Sequence, residues 1–156
     1  METAVGTTPR QVQAPIVVGV DGSTNSKDAL SWAMRQATLT GAAVRAVCVW
    51  HRPSALFTPV EPGARLLLPD LEKDAADELA RVVSEAGETS GVELEQRVLE
   101  GHAIPVLLEQ AKEASLLVLG SRGRGAFTGM LLGSVSEHCV SHAPCPVAVV
   151  RSAGGS

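Results

Sequence analysis

The sequence has no tyrosine, two phenylalanines and two tryptophans, so aromatic side chains make up only 3% of its 156 positions. Few flat rings are available to stack nucleobases along a strand. Positive charge is also scarce: 13 lysines and arginines against 17 acids leave a formal charge of -4, which opposes tracking along a phosphate backbone. No nucleic-acid partner is expected. Cysteine is limited to Cys48, Cys139 and Cys145, an odd number in or beside apolar segments and unlike the framework of a disulfide-stapled secreted domain. A reducing, cytoplasmic location is expected. Long apolar runs are missing too: no segment approaches the length of a membrane helix, and the opening METAVGTTPRQVQA lacks the apolar core of a signal peptide. These absences predict a soluble, unexported protein with no membrane partner.

What is present describes one ordinary folded domain. A hydrophobic fraction of 45% with 19% charged residues lies far from disordered compositions, and 156 residues can bury one core without metal or disulfide staples. The expected domain spans 15–151, with 1–14 and 152–156 as flexible ends. Apolar and β-branched runs alternate with helical patterns. PIVVGV at 15–20 reads as a strand buried on both faces and closed by Asp21-Gly22-Ser23. Ser23 is placed to cap a helix in which Ala29, Ala33 and Ala37 recur every four residues until Gly41. AVRAVCVW at 43–50 reads as the second strand. A helix is expected from Pro69, with Leu71, Ala75, Leu79, Val82 and Ala86 on its apolar face and Gly87 or Gly91 ending it. VELEQRVL alternates as a half-exposed edge strand with Val92, Leu94, Gln96 and Val98 on one side. Then come a short helix within 101–114 with Pro105 in its first turn, the strand SLLVLG, a helix at 134–142 and the strand PVAVVR. This order predicts an α/β fold with a parallel sheet and helices on both faces. Ligands of such sheets lie at the carboxyl ends of strands, where Asp21 and Gly120 fall. The connection from His51 to Leu68 has three prolines and little periodicity, as suits a disordered loop, a lid or a partner surface.

The stretch GSRGRGAFTGMLLGSVSEH, from Gly120 to His138, carries five glycines and two arginines in a mildly acidic chain. Its backbone can approach a ligand at Gly120, Gly123 and Gly133 without a Cβ in the way. Ser134 starts a helix whose first-turn N–H groups and dipole form an anion site, with the hydroxyls of Ser134 and Ser136 as further donors. A plain strand-to-helix turn would also be glycine-rich. The stretch is not a P-loop, because no lysine follows the last glycine, nor is it a GxGxxG fingerprint after a first strand.

The spacing G-x2-G-x9-G-[S/T] resembles the nucleotide motif of the universal stress protein family, and VVGVDGS, EGHAIPVLLEQAKEASLLVLGSRGRG and CPVAVV resemble that family as well. The resemblance runs from Ile16 to Arg151. It implies a single doubly wound, flavodoxin-like five-stranded sheet of order 3-2-1-4-5 and a homodimer formed through the last strand. The retained motif implies the ATP-binding branch. Transferred by position, Asp21 would meet ribose or adenine, or help hold Mg2+, and Val49 would face the adenine. Gly120 and Gly123 would offer backbone to ribose and phosphates, while Gly133, Ser134, Val135 and Ser136 would hold the phosphates. Arg122 and Arg124 would add positive charge, or be simply solvated. The expected function is an ATP-dependent regulator or sensor in a stress response, acting on a protein partner the sequence does not name. A slow ATP hydrolase or phosphoryl-transfer enzyme, and a nucleotide-free interaction module, are the alternatives. No catalytic residue stands out.

His138, Cys139, His142 and Cys145 have metal-like spacing, but Cys139 points off the face the histidines share and Cys145 lies between two prolines. Packing explains them better, and no metal is expected there.

Overall fold

The computed structural model describes residues 13–53, 70–87, 91–123 and 131–152. The chain runs β1 Ile16–Gly19, α1 Thr24–Thr40, β2 Val44–Trp50, α2 Leu71–Ala86, β3 Leu94–Glu100, α3 Ala103–Ala111, β4 Leu116–Gly120, α4 Ser134–His142 and β5 Val147–Val150. The strands form one sheet of order β3-β2-β1-β4-β5 in which every pairing is parallel. Central β1 pairs Val17 with Arg45 on one side and with Leu117 on the other.

Two apolar layers cover the sheet because β1 and β4 alternate their side chains between faces. Ile16, Val18 and Val20 join Leu30, Ala33 and Met34 of α1 and Leu79 and Val82 of α2 on one face. Val17, Leu117 and Leu119 join Leu107 and Ala111 of α3 and Cys139 of α4 on the other. The crossover after β1 therefore leaves to one face and the one after β4 to the opposite face. A crevice opens between their two loops, at the carboxyl ends of adjacent strands.

Local signals set the element ends. Ser23 Oγ accepts from the Ser26 N–H at 3.2 Å to cap α1, and Gly41, at φ 76°, ends it by donating to the Ala37 carbonyl at 2.8 Å. The helix expected from Pro69 begins at Leu71, because the Asp70 carboxylate accepts from the Lys73 N–H at 3.0 Å and takes the cap position. Gly87 ends it at φ 84°. Strand β3 lies at the sheet edge as expected. Val92, Leu94 and Val98 pack on one layer and Leu99 on the other, but Gln96 is exposed. The helix expected within 101–114 is the shorter α3, with Pro105 in its first turn. Residues 1–12 and 153–156, most of the flexible ends expected from the sequence, lie outside the described residues, as does 54–69 of the long connection. Among the described residues, no helix is long and apolar enough to cross a membrane.

Candidate functional site

At the β1 end, the Val20 N–H donates to the Val47 carbonyl at 2.8 Å, which carries the ladder one residue past the strand before the chain turns. Asp21 shapes that turn. Its Oδ1 accepts from the Ser23 N–H at 2.9 Å and from the Ser23 hydroxyl at 2.5 Å. Buried Ser26 completes the loop: its hydroxyl donates to the Ser23 carbonyl at 3.0 Å and accepts from the Asp21 N–H at 3.3 Å.

At the β4 end, the two described ends of the glycine stretch are fastened together. The Ser121 N–H donates to the Val150 carbonyl at 2.9 Å, and the Gly133 N–H donates to the Ser121 carbonyl at 2.7 Å. The Ser136 hydroxyl, only 3% exposed as a residue, donates to the Gly120 carbonyl at 2.8 Å, with Ser121 O 3.3 Å away. This corrects the expectation that Ser136 offers a hydroxyl to a ligand. That hydroxyl is committed to the backbone, and what remains at Ser136 for a guest is its N–H.

The three motif glycines differ in what demands them. A Cβ at Gly120 would lie 2.7 Å from the Asn25 carbonyl carbon, so glycine there lets β4 approach α1 closely. A Cβ at Gly123 would collide with Asp21 Oδ2. At Gly133 the nearest atom is 3.5 Å away, an ordinary contact, and φ is -72°. At two of the three, glycine is thus needed because a side chain would meet protein atoms, while both backbones still border the crevice.

Helix α4 starts at Ser134 with Gly133 as its cap residue and no side-chain capping bond. The Glu137 N–H is the first to reach back along the helix, to the Gly133 carbonyl at 3.0 Å. The N–H groups of Ser134, Val135 and Ser136 have no acceptor within the helix, and the dipole adds positive potential there.

These parts enclose a cavity of about 310 Å3. Asp21, Val49, Gly120, Arg122, Gly123, Gly133, Ser134, Val135 and Ser136 all line it, so nine of the ten residues singled out from the sequence meet at one place. Arg124, the tenth, lies outside the described residues. Sequence reasoning did not assign Ser23 and Ser26 to the polar end, nor Val47, Ala103, Leu107 and Leu119 to the apolar wall. Val47 was open to discovery, since it lies two residues before Val49 and shares its strand face. Ala103 and Leu107 reach the cavity through a crossover that local spacing does not reveal.

The metal-like cluster is not assembled. Cys139 is fully buried and Cys145 half-buried in the layer beneath α3 and α4, and burial pushes both thiols above their ordinary pKa. Protonated thiols are poor nucleophiles and poor ligands. Among the described residues, no group of three or more histidine, cysteine or acidic side chains could hold a metal ion.

The family model described as the universal stress protein family matches residues 14–151. The chain belongs to the universal stress protein family. Within it, a universal stress protein of Mycolicibacterium smegmatis is 38% identical over 138 residues, covering 88% of this chain and 45% of that protein. A universal stress protein of Mycobacterium tuberculosis is 33% identical over 144 residues, covering 87% of this chain and 47% of its own length. The chain spans slightly less than half of these curated relatives. Among solved structures, a universal stress protein in complex with cAMP superimposes with a TM-score of 0.63 at 26% identity, over 91% of this chain and 99% of that one.

Proposed function

We propose that this universal stress protein binds an adenine nucleotide, ATP with Mg2+ in first place, and acts as a nucleotide-dependent regulator. The observation that carries this reading is the uncapped start of α4. Three N–H groups without helical acceptors border a cavity whose far wall is apolar. An anion at Ser134–Ser136 would take up those donors, and Val47, Val49, Ala103 and Leu107 would cover a flat apolar base. The cAMP held by a solved relative is of the same chemical class.

Asp21 is the only carboxylate among the described residues that line the cavity. Direct contact with a polyphosphate would repel it, so it belongs beside the ribose or behind a bridging Mg2+. Gly120 and Gly123 would border the ribose and phosphates with backbone atoms, and Arg122 would add charge next to them; Arg124 is assigned the same role.

A binding protein is favoured over a hydrolase because the described residues that line the cavity include neither lysine nor histidine. A homodimer through β5, whose outer edge faces no other strand among the described residues, belongs to the same reading. So does a reducing cytoplasm, in keeping with three free cysteines of which two are buried. Calorimetric titration with ATP and Mg2+, followed by phosphate analysis after long incubation, tests the proposal. Saturable heat with intact nucleotide supports it; absence of heat favours the nucleotide-free module, and multiple turnovers favour the enzyme.

A further inference from the structure

Away from the cavity, α4 carries two exposed histidines one helical turn apart, His138 and His142. Their rings are stacked, with centroids 4.3 Å apart and planes inclined by 19°. His142 Nδ1 lies 3.0 Å from the His138 carbonyl oxygen. A carbonyl can only accept, so Nδ1 must carry the hydrogen, and the lone pair of the neutral ring is left on Nε2. This is the arrangement found behind metal-bound histidines, where the second ring nitrogen donates to a backbone carbonyl and fixes the coordinating one outward.

We propose that His138 and His142 form an exposed, two-imidazole site for a divalent late transition metal ion such as Ni2+, Cu2+ or Zn2+. Paired imidazoles suit these ions, and water fills the remaining positions. The pair lies in the C-terminal half of α4, where the negative end of the helix dipole favours a cation. Both rings are exposed on one helix face, one turn apart, a spacing from which two imidazoles can reach one ion once they unstack. The site differs from the four-residue cluster weighed from the sequence, because Cys139 and Cys145 take no part. With only two protein ligands it is an exchangeable surface site, not a closed structural one.

The test uses the untagged full-length chain titrated with Ni2+ near neutral pH by calorimetry. Paramagnetic broadening of the imidazole NMR signals is followed in the same chain, so that the assignment does not rest on variants alone. One site is expected, with His138 and His142 signals broadened first. His138→Gln and His142→Gln are each expected to weaken binding at least roughly tenfold, with unchanged far-UV circular dichroism. His102→Gln, which alters the other stacked histidine pair, His51–His102, is expected to leave binding unchanged. The proposal is overturned if the natural chain takes up no Ni2+, if His138→Gln and His142→Gln bind as tightly as it does, or if the loss or the broadening appears at His102 instead.

Discussion

Asp21 Oδ2 occupies the space that a side chain at Gly123 would need, so the loops after β1 and β4 are fitted to each other through a missing Cβ. Gly123→Ala should push the carboxylate away and disturb the Oδ1 bonds that Asp21 accepts from Ser23. Asp21→Ala should relieve that collision. In denaturant unfolding, the two substitutions together should therefore cost less than the sum of their separate effects, by about 0.5–3 kcal/mol. Simple additivity would show that the loops do not meet in this way.

At the start of α4, stability and binding should move in opposite directions. Ser134→Asp places a carboxylate against the positive end of the helix and should stabilise the fold by about 0.3–1 kcal/mol. The same charge would repel a phosphate, so nucleotide affinity should fall on the order of tenfold or more. Equal affinity in the variant would remove the phosphates from this end of the cavity.

The commitment of the Ser136 hydroxyl to Gly120 and Ser121 makes a different prediction. Ser136→Ala takes this donor from the half-buried Gly120 carbonyl and should destabilise the protein by about 1–3 kcal/mol, although Ser121 O keeps the Gly133 N–H. Affinity, measured below the unfolding transition, should change far less than in Ser134→Asp. A variant that kept full stability but lost its ligand would mean that the hydroxyl serves the guest.

Acid sensitivity should come in part from the β2–β3 surface. Hydrogen bonds from Arg45 first and Arg97 second hold the Glu95 carboxyl below its ordinary value of 4.5. A lowered folded-state value stabilises the fold above the unfolded pKa, and this contribution is lost as pH falls through the folded one. Glu95 is exposed, so the effect should stay below about 1 kcal/mol after solvent screening. Stability of the natural chain relative to Glu95→Gln should therefore decline as pH drops below 4.5 and level off above it.

Much of the fold was legible because its signals are local. Buried runs marked β1 and β4, Ser23 and Gly41 marked the ends of α1, and Ser134 and His142 bound α4 as expected. The G-x2-G-x9-G spacing also led to the crevice, since the turns after two adjacent parallel strands open at the same carboxyl end of the sheet. What stayed hidden depends on contacts distant in sequence. Gly120 lines the crevice, but spacing does not reveal that its missing Cβ also makes room for Asn25, whose Oδ1 accepts from the Ser152 N–H and hydroxyl at 3.2 and 2.5 Å. Ser136 looked like a phosphate donor because spacing cannot reveal that the Gly120 carbonyl lies 2.8 Å away. The start of α2 moved past Pro69 because Asp70, which reads as one more acid in a charged stretch, caps the helix.

The central claim is that the N–H groups of Ser134, Val135 and Ser136 receive the phosphate of an adenine nucleotide. Denaturing freshly purified protein and weighing what it releases tests this most directly. An adenine nucleotide is expected at near-stoichiometric yield from the natural chain, and little from Ser134→Asp. Equal yields from both chains, or no nucleotide released together with no heat on adding ATP and Mg2+, would contradict it.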